Sequence, residues 1–483
     1  MRTRIDLLRW PLIGPFLRWR YSRFVLQLPL LVLAALAIYD GFVGRQLAPK
    51  NLSTVSVWLH YRGLLVLAIA VAGNLFCGAC PLMLTRGLTE RLRRFVPQFT
   101  WPMALRNKYL VIVITLVYLF AYEYFDLWAS PWLTAWLMVG YFGAALLVDA
   151  FFPAGTFCKY VCPLGNFNFT LSTVSPTQIS VRDRQVCLDC EGHYCVNGRV
   201  DTPEGPRPLA FHAQAEGERY PGCETQLYAP QIESNFDCTL CFNCVRACPY
   251  DNVSWEVRSP AREWTGVRYR ADYVWLGVLL FFAGFMNAFA MIPAYYTLAE
   301  RASELLHTRN EALLLGLAFV VWVGLGLGLT AAVARWASRL AGMAEGGFAA
   351  VRRWGPAFFP LAFAMWAGHY AYHFLTGWAS IVPVTQQALG NLGLPVGEPN
   401  WQLAALVPEN LLYPLQVFIL YLGLMGSAYA AFARARKAGR WTAALPVFLY
   451  ITVLVVLTLW VLAQPMEMRG TLLDPGSQPG GLK

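Results

Sequence analysis

The sequence predicts a polytopic α-helical membrane protein with one polar, cysteine-rich domain inserted between its helices, and three observations predict it. Of 483 residues, 57% are hydrophobic and only 14% charged, far from the balance of a soluble enzyme. Apolar stretches long enough to cross a bilayer recur along the chain. All twelve cysteines fall between residues 77 and 248, mostly in tight Cys-x-x-Cys groups that suit a metal better than an extracellular disulfide framework. The net charge of +10 does not signal nucleic acid, because the arginines cluster beside apolar runs instead of forming a basic face with interleaved aromatics.

A helix needs about 20 residues to span hydrocarbon. Nine stretches meet that length, at roughly 25–43, 58–76, 108–126, 132–152, 272–296, 312–334, 357–378, 410–432 and 441–463. Short basic loops are retained in the cytoplasm, so the start MRTRIDLLRWPLIGPFLRWRYSRF, with Arg2, Arg4, Arg9, Arg18, Arg20 and Arg23, stays inside. Counting alternately, the loop with Arg86, Arg91, Arg93, Arg94, Arg106 and Lys108 falls inside too. So do Arg335, Arg339, Arg352 and Arg353, and then Arg434, Arg436, Lys437 and Arg440. The loop DLWASP and the stretch 379–409 fall outside, as does the tail MEMRGTLLDPGSQPGGLK. No small-x-small cleavage site follows the first span, which reads as an uncleaved anchor. Three blocks follow: a membrane domain of four helices over 1–152, a polar cytoplasmic domain over 153–271, and a membrane domain of five helices over 272–483.

Within the polar block, Cys238-x2-Cys241-x2-Cys244-x3-Cys248-Pro249 has the spacing of the bacterial ferredoxin run that binds [4Fe–4S] clusters. Such a loop wraps three thiolates around one cluster and sends the cysteine before proline to the other. A zinc site is the plainer alternative, but zinc usually takes two Cys-x-x-Cys hooks with a longer spacer. An altered copy lies upstream: Cys187-x2-Cys190-x4-Cys195, an insert over 196–222, then Cys223. By the cross-over rule Cys187, Cys190, Cys195 and Cys248 hold one cluster, and Cys223, Cys238, Cys241 and Cys244 the other. His193 sits in the first loop as a loop residue or a replacement ligand.

Four cysteines remain. Cys77-x2-Cys80-Pro81 and Cys158-x3-Cys162-Pro163 lie at the predicted cytoplasmic ends of the second and fourth spans. They are packed helix-end cysteines, a redox-active pair of dithiols, or joint ligands of one metal or cluster.

Two cysteine-proline pairs at membrane helix ends, followed by a double [4Fe–4S] segment, resemble the membrane polyferredoxins of the NosR/NapH type over about residues 60–255. That group includes maturation regulators of nitrous oxide reductase, quinol-oxidising subunits of periplasmic nitrate reductase and copper-reducing oxidase-assembly proteins. Its paired motif is Cys-x3-Cys-Pro, which Cys158/Cys162 fits and Cys77/Cys80 misses by one residue. The resemblance implies a multi-pass protein of the bacterial cytoplasmic membrane. The five spans after residue 271 are not a standard part of the small nitrate-reductase subunit, and there is no long outer-face segment for a flavin domain.

In the second membrane block, His369 and His373 are four residues apart on one face of the seventh span, and His60 lies at matching depth in the second. Ionisable residues inside the bilayer are functional candidates. A b-type haem between spans, a metal, a quinol headgroup and plain interhelical hydrogen bonding all fit these histidines. Asp40, Glu123, Asp126 and Glu409, at predicted outer ends, are expected to be solvated or capping, and Asn287 to join helices.

The expected function is an electron relay between the quinone pool and a partner oxidoreductase or electron carrier, through two [4Fe–4S] clusters. Its competitor is an assembly factor that reduces or delivers a metal such as copper to a respiratory enzyme, using the dithiols directly.

Overall fold

The computed structural model describes residues 5–405 and 409–465. The tail from Met466, and Arg2 and Arg4, lie outside the described residues. The chain is mostly helical, as a polytopic membrane protein must be, because hydrocarbon offers no partner to an unpaired backbone group. Among the described residues seven helices are long and apolar enough to cross a membrane: Ser22–Val43, Leu52–Ala72, Pro131–Phe151, Ala271–Phe289, Glu311–Leu340, Leu412–Lys437 and Trp441–Leu462.

The other two expected spans are helices as well. Tyr109–Tyr124 has only 16 residues, and Phe359–Gly377 dilutes its apolar face with His369, Tyr370, Tyr372 and His373. The fifth stops at Phe289, and Pro293 restarts the chain as a separate helix to Leu305.

The chain forms two compact units. One comprises Met1–Ala35, Leu67–Val111 and Met138–Val267; the other comprises Leu36–Val66, Ile112–Leu137 and Arg268–Lys483. Each therefore draws on several stretches of sequence, and the division falls inside four helices.

All twelve cysteines belong to the first unit. Its polar part is bracketed by an antiparallel ribbon, Thr177–Val181 against Val253–Val257, which ties the two ends of the cysteine segment together. The N-terminal stretch packs onto the same segment. Asp6 Oδ1 accepts hydrogen bonds from the Trp255 and Leu8 amides at 3.1 and 3.0 Å, and Asp6 pairs with Arg182 at 2.8 Å. Leu8 and Leu17 join Ile179, Val253 and Trp255 in one buried core, which also contains Cys195, Cys238 and Cys244. Dispersion and burial of that core hold the cysteine loops to a single arrangement.

The second unit is built on small residues and polar bridges. A β-carbon at Gly423 would fall 2.4 Å from that of Ala364, so the helices Leu412–Lys437 and Phe359–Gly377 cross where only glycine fits. The Trp366 indole donates to the Leu280 carbonyl at 2.8 Å, and Gln416 donates to the Gly368 carbonyl at 3.1 Å.

Of the residues expected to be solvated or capping, Asp40 takes the second role and Glu123 neither. Asp40 is 1% exposed and accepts from the Leu52 amide at 2.7 Å, so it caps a helix without being solvated. Glu123 is 2% exposed and accepts from Asn287 Nδ2 at 2.5 Å. In each case a local partner replaces the water that helix-end position had implied.

Candidate functional site

Cys187, Cys190, Cys195 and Cys248 all line one small, partly open void of about 20 Å³. The short helix Arg184–Leu188, started by the Asp183 carboxylate accepting from the Gln185 amide at 2.8 Å, presents Cys187. His193, in the left-handed region at φ 40°, turns the chain into Tyr194–Asn197 and so brings Cys195 inward. Cys248 arrives from the far end of the segment, directly after the helix Asn243–Ala247. Asn252 fastens the two ends: its Nδ2 donates to Cys187 Sγ at 3.1 Å and its backbone amide faces Cys248 Sγ at 3.5 Å. The His193 ring lines the void and meets Tyr228 edge-on at 5.1 Å.

The second set is Cys223, Cys238, Cys241 and Cys244. Asp237, Leu240 and Phe242 all have positive φ, at 62°, 48° and 56°, so the loop turns sharply around its cysteines. Successive turns of this kind direct backbone N–H groups into a concavity that favours negative charge. The 27-residue insert has a simple structural account. Strands Arg199–Thr202, Gly205–Pro208 and Glu218–Tyr220 form a three-stranded antiparallel sheet that folds the insert back on itself. The Cys223 amide then donates to the Cys195 carbonyl at 2.8 Å, and Asn243 Nδ2 donates to the Gly222 carbonyl at 3.1 Å, which holds Cys223 beside the loop that carries the other three.

Charge proximity separates the same two sets. Burial pushes the Cys195 thiol up to about 12, and the neighbours that add to it are Cys187, Cys248 and Cys190. Burial also raises Cys238, aided by Cys223 and Cys241, and raises Cys244, aided by Cys223, Cys241 and Cys238 and then by Cys195 of the other set. Cys195 and Cys244 are therefore where the two sets approach each other.

Cys77 and Cys80 lie one turn beyond the helix Leu52–Ala72, after a break at Gly73 (φ 91°). Asn74 caps that turn, accepting from the Cys77 amide at 3.4 Å, and its Nδ2 donates to the Cys238 carbonyl at 3.2 Å. Cys158 and Cys162 sit on a widened turn whose Cys162 amide bonds back five residues to Phe157 at 2.8 Å. Asp149 holds that turn, accepting from the Gly155 and Phe157 amides at 3.2 and 3.1 Å. The pairs meet: Asn168, six residues past Cys162, donates to Cys77 Sγ at 3.3 Å, and Cys158 Sγ lies 3.7 Å from Met83 Sδ. Burial raises Cys77 to about 11 and Cys162 to about 12, and Cys77 contributes to the shift at Cys162.

Buried charges surround these loops. Lys108 pairs with Asp237 at 2.5 Å, with both side chains at most 2% exposed. Glu224, following Cys223, is paired with Arg23 and, at 2.5 Å, with Arg86. Burial alone would raise the Glu224 carboxyl, but the two guanidiniums outweigh it and hold it down at about 2. The sequence patterns of metal ligands did not reveal Asp6, Arg23, Lys108, Glu224 or these asparagines. The available signal was positional: Asn74, Asp237 and Asn252 stand within four residues of a motif cysteine.

In the second unit, His369 and His373 are brought together, with ring centroids 4.8 Å apart. His369 is fully buried and neither ring nitrogen has a hydrogen-bond partner. Arg62, itself buried, stacks on Tyr370, Tyr122 and Trp58 at 5.1, 4.7 and 4.6 Å. His60 is differently engaged: its Nδ1 faces the Val55 carbonyl at 3.1 Å and its Nε2 the Trp378 carbonyl at 2.7 Å. Its nitrogens are not turned to a ligand shared with His373, the histidine whose depth it matches.

Among the described residues, no three histidine, cysteine, aspartate or glutamate side chains are gathered closely enough to hold a single metal ion. The residues fit a larger group. Each cysteine set has a sulfur-facing N–H, and the four cysteines of the first line one void, as thiolates spread over the corners of a cubane would. No family model, curated protein or solved structure matches the chain.

Proposed function

We propose that the chain is a membrane-bound iron–sulfur protein that relays electrons between the quinone pool and a partner oxidoreductase or electron carrier. Cys187, Cys190, Cys195 and Cys248 hold one [4Fe–4S] cluster, and Cys223, Cys238, Cys241 and Cys244 the other. The convergence of three cysteines of one run and the last cysteine of another on one void carries this reading, because the exchange of one ligand is how a double-cluster ferredoxin segment is built.

When bound, the clusters supply one-electron transfer. The chain's own residues bury the thiols, aim amides at the sulfurs and bring the sets together through Cys195 and Cys244. The basic loops favour a cytoplasmic cysteine segment, with the N-terminus inside and the C-terminus outside, in a bacterial cytoplasmic membrane.

For the quinol, the best-supported contact is His369 with His373. A buried imidazole lacking partners is costly unless a ligand meets it. The positive charge of Arg62 nearby opposes a metal cation and suits a headgroup oxygen that gains negative charge. The test is reduction of the purified protein by a quinol analogue under anaerobic conditions. Bleaching of the iron–sulfur absorbance supports the relay. Stoichiometric copper with no quinol reactivity supports the assembly factor instead.

A further inference from the structure

We propose that Cys77, Cys80, Cys158 and Cys162 hold a third [4Fe–4S] cluster, beyond the two of the relay. Residues from both hooks interlock, since Asn168 reaches across to the Cys77 sulfur at 3.3 Å and Met83 lies against Cys158 at 3.7 Å. Leu82 completes the contact by packing into the apolar cluster around Phe157 and Cys162. Four thiols thus converge from two helix ends that lie 78 residues apart in sequence, from Cys80 to Cys158.

The sulfurs are dressed as in the other two sets. Gly165 donates its amide to Cys162 Sγ at 3.2 Å, at the start of the nine-residue helix Pro163–Leu171, whose dipole favours a thiolate there. Asn168 at Cys77 corresponds to Asn252 at Cys187, and the Gly165 amide at Cys162 to the Leu227 amide at Cys223, 3.3 Å away. Buried thiols that only packed against apolar neighbours would need no such donors.

A cluster fits these thiols better than one ion does. A mononuclear site needs its donors on one small sphere, and no three of these thiols are gathered closely enough to hold a single ion. Thiolates and the Met83 thioether both suit copper(I), but the thioether touches a single member of the set. Cations are also in place: Arg23 and Arg86 offset the carboxylates of Glu224 and Asp149 beside these thiols, with Arg23 in electrostatic reach of both Cys158 and Cys241.

Position gives the third site its use. The turn carrying Cys77 and Cys80 rests directly on the loop of the second set. A β-carbon at Gly78 would fall 2.5 Å from the Leu240 carbonyl oxygen, and Asn74 bonds the Cys238 carbonyl. The three sets therefore run in sequence, from Cys187 through Cys195 and Cys244 to Cys241, and on to the helix ends that carry Cys77 and Cys158.

The experiment is iron and acid-labile sulfide quantification on the full chain purified anaerobically, as wild type, Cys80→Ser, Cys162→Ser and Cys187→Ser. Three clusters predict about twelve irons per chain, with Cys80→Ser and Cys162→Ser each retaining about eight and keeping the spectra of the other two sites. A wild-type count of about eight that neither variant lowers overturns the proposal, as does one equivalent of copper or zinc lost from the variants while iron stays constant. Should Cys80→Ser not fold, the wild-type count and Cys162→Ser still decide. Failure of the two-cluster reading looks different: Cys187→Ser then leaves iron unchanged, whatever the other variants do.

Discussion

Asn252 donates its side-chain amide to Cys187 Sγ at 3.1 Å although 65 residues separate them. The same residue turns its backbone amide toward Cys248, so one asparagine joins the first and last cysteines of a set. N–H groups on ligand sulfurs stabilise the more negative, reduced state. Asn252→Ala is therefore expected to lower one cluster's reduction potential by on the order of 60 mV, the one-electron equivalent of a hydrogen bond worth about 1.4 kcal/mol. Potentiometric titration followed by electron paramagnetic resonance measures it, and an unchanged potential at both sites contradicts the role given to Asn252.

Lys108 and Asp237 are a buried pair immediately before Cys238. Breaking such a pair by removing one partner costs about 3–5 kcal/mol, because a lone charge stays in the interior. Lys108→Met should destabilise the protein by that amount, and adding Asp237→Asn should recover much of it, since asparagine tolerates the left-handed backbone at 237 (φ 62°). Denaturant unfolding of both variants, followed by loss of visible absorbance, gives the comparison.

Gly78 and Gly87 make a matched pair. A β-carbon at Gly78 meets the Leu240 carbonyl, which is backbone and cannot rotate aside, whereas at Gly87 nothing lies within 4 Å. Gly78→Ala is expected to cost about 1–3 kcal/mol and to release iron on chelator challenge, whereas Gly87→Ala, in the helix Arg86–Leu92, should be neutral or stabilising by up to about 1 kcal/mol. Equal behaviour of the two would mean that the 77–80 turn does not rest on the 238–241 loop.

The buried thiols also set a pH dependence for the iron-free protein. Cys77 is raised to about 11 and Cys162 and Cys195 to about 12, above an ordinary value of 9.0. Raised folded values mean the stability these neutral thiols carry is full below pH 9 and falls as pH climbs from there toward 12, at up to about 1.4 kcal/mol per thiol per pH unit. Cluster-bound sulfurs are already thiolates, so the loaded protein should lack that decline. Unfolding series from pH 8 to 11, with and without iron, test the difference.

His369→Leu removes a buried imidazole with no partner, so it is expected to leave both ferredoxin-spaced sites loaded and to stabilise the empty fold slightly. If the imidazole takes the quinol proton, cluster reduction by quinol should slow by at least about a hundredfold, while reduction by dithionite is unaffected. Unaltered quinol kinetics would return the histidines to a packing role.

Much of this architecture was legible in the sequence because it rests on local regularities. Cysteine spacing and apolar run length survive without knowledge of tertiary contacts, and they located the cysteine groups that the structure brings together and nine stretches that are helical, seven of them long and apolar enough to span among the described residues. What escaped depends on partners distant along the chain. Lys108 looked like a loop cation until Asp237, 129 residues away, met it. Asp40 and Glu123 read as solvated or capping because their helices end there, and only the fold shows that Leu52 and Asn287 supply the hydrogen bonds water would have made. His60 lay at the right depth for a shared ligand, yet the carbonyls of Val55 and Trp378 occupy its nitrogens. The insert before Cys223 read as a disruption, and only its three-stranded pairing shows how it returns that cysteine to Cys195.

The most direct test of the central claim is iron and acid-labile sulfide content of the anaerobically purified full chain, read beside Cys187→Ser and Cys241→Ser. The account predicts iron and sulfide in equal number, at least about eight of each per chain, with about four of each lost in either variant. Protein free of iron, or iron without matching sulfide, would contradict it.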